Sequence, residues 1–167
     1  GQWFWDCYLI SSIIELSKAQ HFDTLIRTSI TRIKWKNWDS GYQIKIPLWE
    51  PSWRKILIKN SEINIAKVNG NIGFKLLEIA YAKYESQTNL KKNERKRITP
   101  SEFNKIQWGN PKQALETFLW KQNVSFNDFW TSSNYSKYKM LDQCPNERKK
   151  EIEWFLKNYK PDIWNKF

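Results

Sequence analysis

Two apolar periods alternate along this 167-residue chain. Leu9, Ile10, Ile13, Ile14 and Leu16 recur at helical spacing and cover a wide arc, so Cys7 to about Lys18 is predicted as a central helix. Ser17 to Ile30 continues helically or breaks once near Ala19-Gln20-His21. From Tyr42 the period drops to two. Tyr42–Ile46, Lys55–Lys59 and Ile63–Val68 predict short strands of a small antiparallel sheet, closed by Asn69-Gly70-Asn71. Ile72 to Ser86 returns to helical spacing, and Ala80 and Ala82 permit close packing against the first helix. Gln87 to Pro100 is polar and reads as the longest loop. Pro111 opens a helix to Leu119 at a first-turn position that has no need of its missing N–H. Ser125 caps a short turn to Trp130, and Thr131 to Lys139 reads as loop. Pro145 opens the last helix, through Asn158, with Ile152, Phe155 and Leu156 as its stripe. The predicted fold class is α+β, a helical layer with a small antiparallel sheet, and the length fits one domain with a real core.

The bulk numbers narrow the function classes. No run of eighteen apolar residues is present, so no membrane-spanning helix is expected. No signal-peptide pattern opens the chain, and Gly1 lies so close to the first motif that further sequence is expected upstream. Two cysteines, Cys7 and Cys144, are too few for a disulfide scaffold and lack metal-ligand spacing, which favours a reducing, cytoplasmic setting. The net charge of +11 raises a nucleic-acid reading. However, the basic residues are mostly lysine and are spread along the chain, and Lys, Asn and Ile together make up a third of it. Their A/T-rich codons account for much of the charge. The dense run Lys91-Lys92-Asn93-Glu94-Arg95-Lys96-Arg97 reads as a solvated loop. No nucleic-acid or membrane partner is expected.

Cys7 carries the candidate chemistry. Asp6 is a good N-cap residue, and Cys7 follows it at the first turn of an apolar helix. The positive end of the helix dipole favours the thiolate, which is the nucleophilic form. Gln2 lies upstream, where its side-chain amide could stabilise an oxyanion. Against this stands the ordinary role of a free cysteine as a small buried apolar residue. His21, the only histidine, lies fourteen residues on, roughly 20 Å along a helix, too far to serve Cys7 as a base.

Three segments carry a resemblance. Gln2-Trp3-Phe4-Trp5-Asp6-Cys7-Tyr8-Leu9 resembles the active-site segment of calpain-like cysteine proteases, Gln-Gly-x-x-Gly-Asp-Cys-(Trp/Tyr)-Leu. Gly73-Phe74-Lys75-Leu76-Leu77-Glu78-Ile79-Ala80-Tyr81-Ala82-Lys83 is similar to the family's Leu-(Leu/x)-Glu-Lys-Ala-Tyr-Ala-Lys helix. Ile106 to Glu116 is similar to its Gly-Gly-x-x-x-x-Ala-Leu-Glu segment. The three occur in the family's order and cover most of Gly1 to Trp120. The resemblance implies a papain-like core whose first half is helical and bears the cysteine, with a β-rich second half supplying histidine and asparagine. Residues 1–167 are thus expected to be a single partial domain, the cysteine-bearing half, with the missing second half beyond Phe167 and a protein or peptide as substrate. The family's glutamine stands six residues before its cysteine, whereas Gln2 stands five before Cys7. No bound cofactor is expected beyond the calcium that the resemblance implies, and no acidic residue here is carried over as its ligand. The other readings are a protease-derived binding module without catalysis and a basic nucleic-acid-binding domain with indoles stacked on bases.

The departures share a pattern. Trp5 stands where the family has the glycine before Asp-Cys, Trp3 is near another such glycine, and Trp108 replaces one of a Gly-Gly pair. Trp35, Trp38, Trp49, Trp53 and Trp120 fall in stretches that otherwise read as turns. The chain has 5 Gly and 11 Trp, against about 12 Gly for ordinary usage. Two explanations stand at this point: a truly Trp-rich chain, or UGA codons for glycine translated as tryptophan.

Overall fold

The computed structural model describes residues 7–17, 22–35, 39–48, 54–68, 70–86, 97–104, 106, 111–119 and 146–158. The elements run α1 (Cys7–Ser17), α2 (Phe22–Ser29), β1 (Ile30–Lys34), β2 (Ser40–Ile46), β3 (Arg54–Lys59), a 3-10 helix (Asn60–Ile65), α3 (Ile72–Ser86), α4 (Pro100–Asn104), α5 (Pro111–Leu119) and α6 (Asn146–Asn158). The fold is α+β, with one three-stranded antiparallel sheet in the order β1-β2-β3.

The sheet forms because one face alternates apolar. Ile30 pairs with Ile44, Ile44 with Ile56 and Tyr42 with Ile58, and all of these side chains are buried. The helices cover that face. α2 packs on β1 and β2, and α3 packs on β3. Ser29 Oγ donates to Leu48 O at 2.6 Å, and the Leu48 N–H donates to Phe118 O at 2.7 Å, which ties the end of β2 to both α2 and α5. Gly41 allows β2 to lie close to β3: a Cβ there would be driven into the Ile58 carbonyl oxygen and would stand 2.9 Å from Lys59 Cα.

α1 lies at the centre. Leu9 to Ile14, Leu16 and Ser17 are buried, leaving Glu15 half-buried among the residues from Leu9 onward. The helix packs mainly on α5 and also touches α3 and α6. Ser17 Oγ returns a hydrogen bond of 2.6 Å to Ile14 O in the last turn.

Three sequence expectations need correcting. Ile63–Val68 is not a third strand: Asn60–Ile65 is a 3-10 helix and Ala66–Val68 is irregular. Glu62 accounts for the difference, because its carboxylate turns back to accept the Lys59 N–H at 3.1 Å and tightens the chain into a turn. The missing strand is β1, formed by Ile30–Lys34 where helix was expected to reach Ile30. Of the expected loop Gln87–Pro100, residues 97–99 are irregular and Pro100 starts α4, while residues 87–96 lie outside the described residues. Thr99 caps it: its Oγ1 accepts the Glu102 N–H at 3.1 Å, while the Thr99 N–H donates to Glu102 Oε1 at 3.2 Å. The expected turn at Ser125–Trp130 and loop at Thr131–Lys139 lie outside the described residues.

Candidate active site

α1 starts at Cys7. Amides in the first turn of a helix lack an intrahelical carbonyl, and their partial charges sum to about half a positive charge. The Cys7 backbone therefore stands where an anion is favoured. The Cys7 side chain, Gln2, Asp6 and His21 lie outside the described residues. Among the described residues, no group of three or more His, Cys, Asp or Glu side chains could hold a metal ion. No described helix is long and apolar enough to cross a membrane.

The three motif segments converge. Of their described parts, residues 7–9 open α1, residues 73–83 lie within α3, and residues 111–116 lie in α5. α1 packs on both α3 and α5. Phe118 of α5 meets Tyr81 of α3 with ring centroids 5.7 Å apart, so these two supports also touch each other.

The charged residues of α3 explain what the Leu-Leu-Glu-Ile-Ala-Tyr-Ala-Lys run does. Lys83 is fully buried, and its Nζ donates to Leu57 O at 2.6 Å and to Glu62 Oε1 at 3.0 Å. It also lies 2.8 Å from Glu62 Oε2. Glu62 Oε2 accepts the buried Ile98 N–H at 3.2 Å. One ion pair thus joins α3, the edge of β3, the 3-10 helix and the segment before α4. Burial pulls the Lys83 ammonium below its ordinary range, with the Glu62 carboxylate opposing that shift. Five residues earlier, Glu78 Oε1 accepts the Lys67 N–H at 2.6 Å and the Val68 N–H at 3.4 Å. Lys83 and Glu78 thus clamp the stretch from Leu57 to Val68 onto the helix that supports α1.

Sequence reasoning placed Lys83 on the helix without its ion pair, and missed Glu62 and Glu78 as buried groups. A lysine between Ala82 and Tyr84 was the available signal. Its partner, 21 residues away, had none. The outer end of α3 is held as well: Arg54 Nη1 donates to Tyr84 O at 3.2 Å, and its guanidinium lies 4.4 Å from the Tyr84 ring centroid. Comparison with protein-family models, curated proteins and solved structures finds no match to this chain.

Proposed function

We propose that residues 1–167 are the cysteine-bearing half of a calpain-like, papain-type cysteine endopeptidase. The observation that carries this reading is the convergence of α1, α3 and α5. The three segments that resemble the family feed one packed core, with Cys7 as the first residue of its central helix.

In this reading the Cys7 thiolate attacks the carbonyl carbon of the scissile peptide bond. A carbon–sulfur bond forms, and the carbonyl oxygen becomes an oxyanion. The Cys7 N–H and the Gln2 side-chain amide donate to it. Collapse of the intermediate breaks the carbon–nitrogen bond, and the amine leaves with a proton from a histidine. Water then hydrolyses the thioester. That histidine and its orienting asparagine come from sequence beyond Phe167, because a helix dipole can favour a thiolate but cannot protonate an amine.

The test is hydrolysis of a denatured protein substrate by the full gene product, with Cys7→Ser alongside. The variant is expected to lose turnover while unfolding at the parent's temperature. Equal turnover by parent and variant sinks the reading. Residues 1–167 alone are expected to be alkylated at Cys7 by iodoacetamide and to show no turnover.

A further inference from the structure

Nine of the 11 tryptophans lie outside the described residues, and the described core contains none. Its buried hydrophobic side chains are Leu, Ile, Phe, Tyr, Val and Ala. Of the two tryptophans among the described residues, Trp35 is half-buried beside a hairpin connection and Trp154 is 66% exposed on α6. The chain nevertheless carries 11 Trp and only 5 Gly.

The connections show where that imbalance falls. β1 ends at Lys34 and β2 begins at Ser40, opposite each other in register. The Trp35 N–H donates to Asp39 O at 2.7 Å and closes the connection. Hairpin connections of this length commonly need a left-handed residue, which glycine adopts at no steric cost. Trp35-Lys36-Asn37-Trp38-Asp39 holds two tryptophans and no glycine. The connection from β2 to β3, Pro47 to Trp53, likewise holds Trp49 and Trp53 and no glycine. Trp120 directly follows Leu119, the last residue of α5, in the stretch after a helix where glycine is commonly used. Elsewhere this fold uses glycine where the backbone demands it, with Gly70 at φ +122° and Gly41 against β3.

A stacking surface would gather its indoles on one face. In sequence these five fall within the two strand-to-strand connections and directly after Leu119 of α5. Relaxed selection on turns would fill them with assorted residues rather than one. A single mechanism yields tryptophan alone: UGA differs from the tryptophan codon UGG only at its third base, and reading UGA as tryptophan puts an indole wherever the gene specifies another residue. The glycine shortfall, about seven against ordinary usage, is large enough to contain the five positions.

We propose that Trp35, Trp38, Trp49, Trp53 and Trp120 are encoded by UGA reassigned to glycine, so that the polypeptide made in its own cell carries glycine at these positions. Trp154, inside a helix where glycine would cost about 1 kcal/mol, lies outside the claim. The proposal is independent of peptidase activity, because none of the five is Cys7 or Gln2.

Two measurements test it. The nucleotide sequence is expected to show UGA at all five positions, and tandem mass spectrometry of peptides from the native protein is expected to show glycine there. UGG codons, or tryptophan in the native peptides, overturn the proposal. The chain with all five Trp→Gly substitutions is then compared with the parent. It is expected to melt at a higher temperature and to elute as a narrower monomer peak. A lower melting temperature with broader elution removes the structural argument.

Discussion

Replacing Lys83 with methionine isolates the ion pair at the heart of α3. Methionine keeps most of the side chain's length and volume, so little cavity is created. It removes the donor to Leu57 O at 2.6 Å and both contacts to the Glu62 carboxylate, at 3.0 and 2.8 Å. Among the described residues, Glu62 is then left as a buried anion held by the N–H groups of Lys59 and Ile98. Removing one partner of a buried pair costs about 3–5 kcal/mol, because the surviving charge has lost both water and its counter-ion. Domains of this size are stable by about 5–15 kcal/mol in total, so the loss should be plain in urea unfolding followed by far-UV circular dichroism. Glu62→Gln should cost a similar amount by stranding the ammonium. The double variant, Glu62→Gln with Lys83→Met, buries no charge. Its main debt is the unpaired Leu57 carbonyl, about 1–3 kcal/mol. The double variant should therefore be more stable than either single one. A Lys83→Met loss below about 1 kcal/mol at unchanged m-value, or single losses that simply add, would refute the account.

Three further outcomes follow from other parts of the fold. Gly41→Ala should lose more than about 2 kcal/mol in the same urea assay, since the added methyl meets the Ile58 carbonyl and β3 must shift; a neutral result would mean that β2 and β3 are less close than described. Phe118→Ala should cost about 3–5 kcal/mol, because the ring is fully buried against Tyr81 and its loss opens a cavity between α5 and α3; thermal unfolding would show this. Partial desolvation pushes the carboxyl of the largely exposed Glu85 above its ordinary range, with Arg54 and a Tyr81 hydrogen bond opposing the shift. The folded state then holds the proton longer than the unfolded chain, so stability falls as pH rises from about 4.5 through the raised value. The melting temperature of the parent minus that of Glu85→Gln should decline across that window and then level off; a flat difference between pH 4 and 7 contradicts it.

Local periodicity made the helices legible. Ile72–Ser86 and Pro111–Leu119 match their predicted bounds, and α1 ends within one residue of its own. β2 was legible for the same reason, since Tyr42 to Ile46 alternates buried and less-buried positions, whereas β3 carries a continuous apolar run in which Ile56, Leu57 and Ile58 are all buried. The misses arise where long-range partners outweigh pattern. Ile63-Asn64-Ile65 alternates like a strand, yet Glu62 draws the chain into a 3-10 turn through contacts with Lys83 and Ile98. Ile30-Thr31-Arg32-Ile33-Lys34 becomes a strand because β2 pairs with it, a fact its own residues barely advertise. α4 was legible in hindsight from Thr99-Pro100-Ser101-Glu102, a capping box with proline at the first helical position. At the candidate site, the position of Cys7 as the first residue of a helix was readable, whereas the buried charges that brace the supporting helix were not.

The burial of α1 restricts how its first residue can vary. Each residue turns a helix by about 100°, so a slip of one position would swing Leu9, Ile10, Ile13 and Ile14 out of their places against α5, α3 and α6 together. Nearly every side from Leu9 onward is occupied, so no orientation offers a cheap alternative. The azimuth and height of position 7 are therefore fixed by the whole interior rather than by a loop. Substitutions far from Cys7, in the packing layer of any of the three neighbouring helices, become adjustments of its aim.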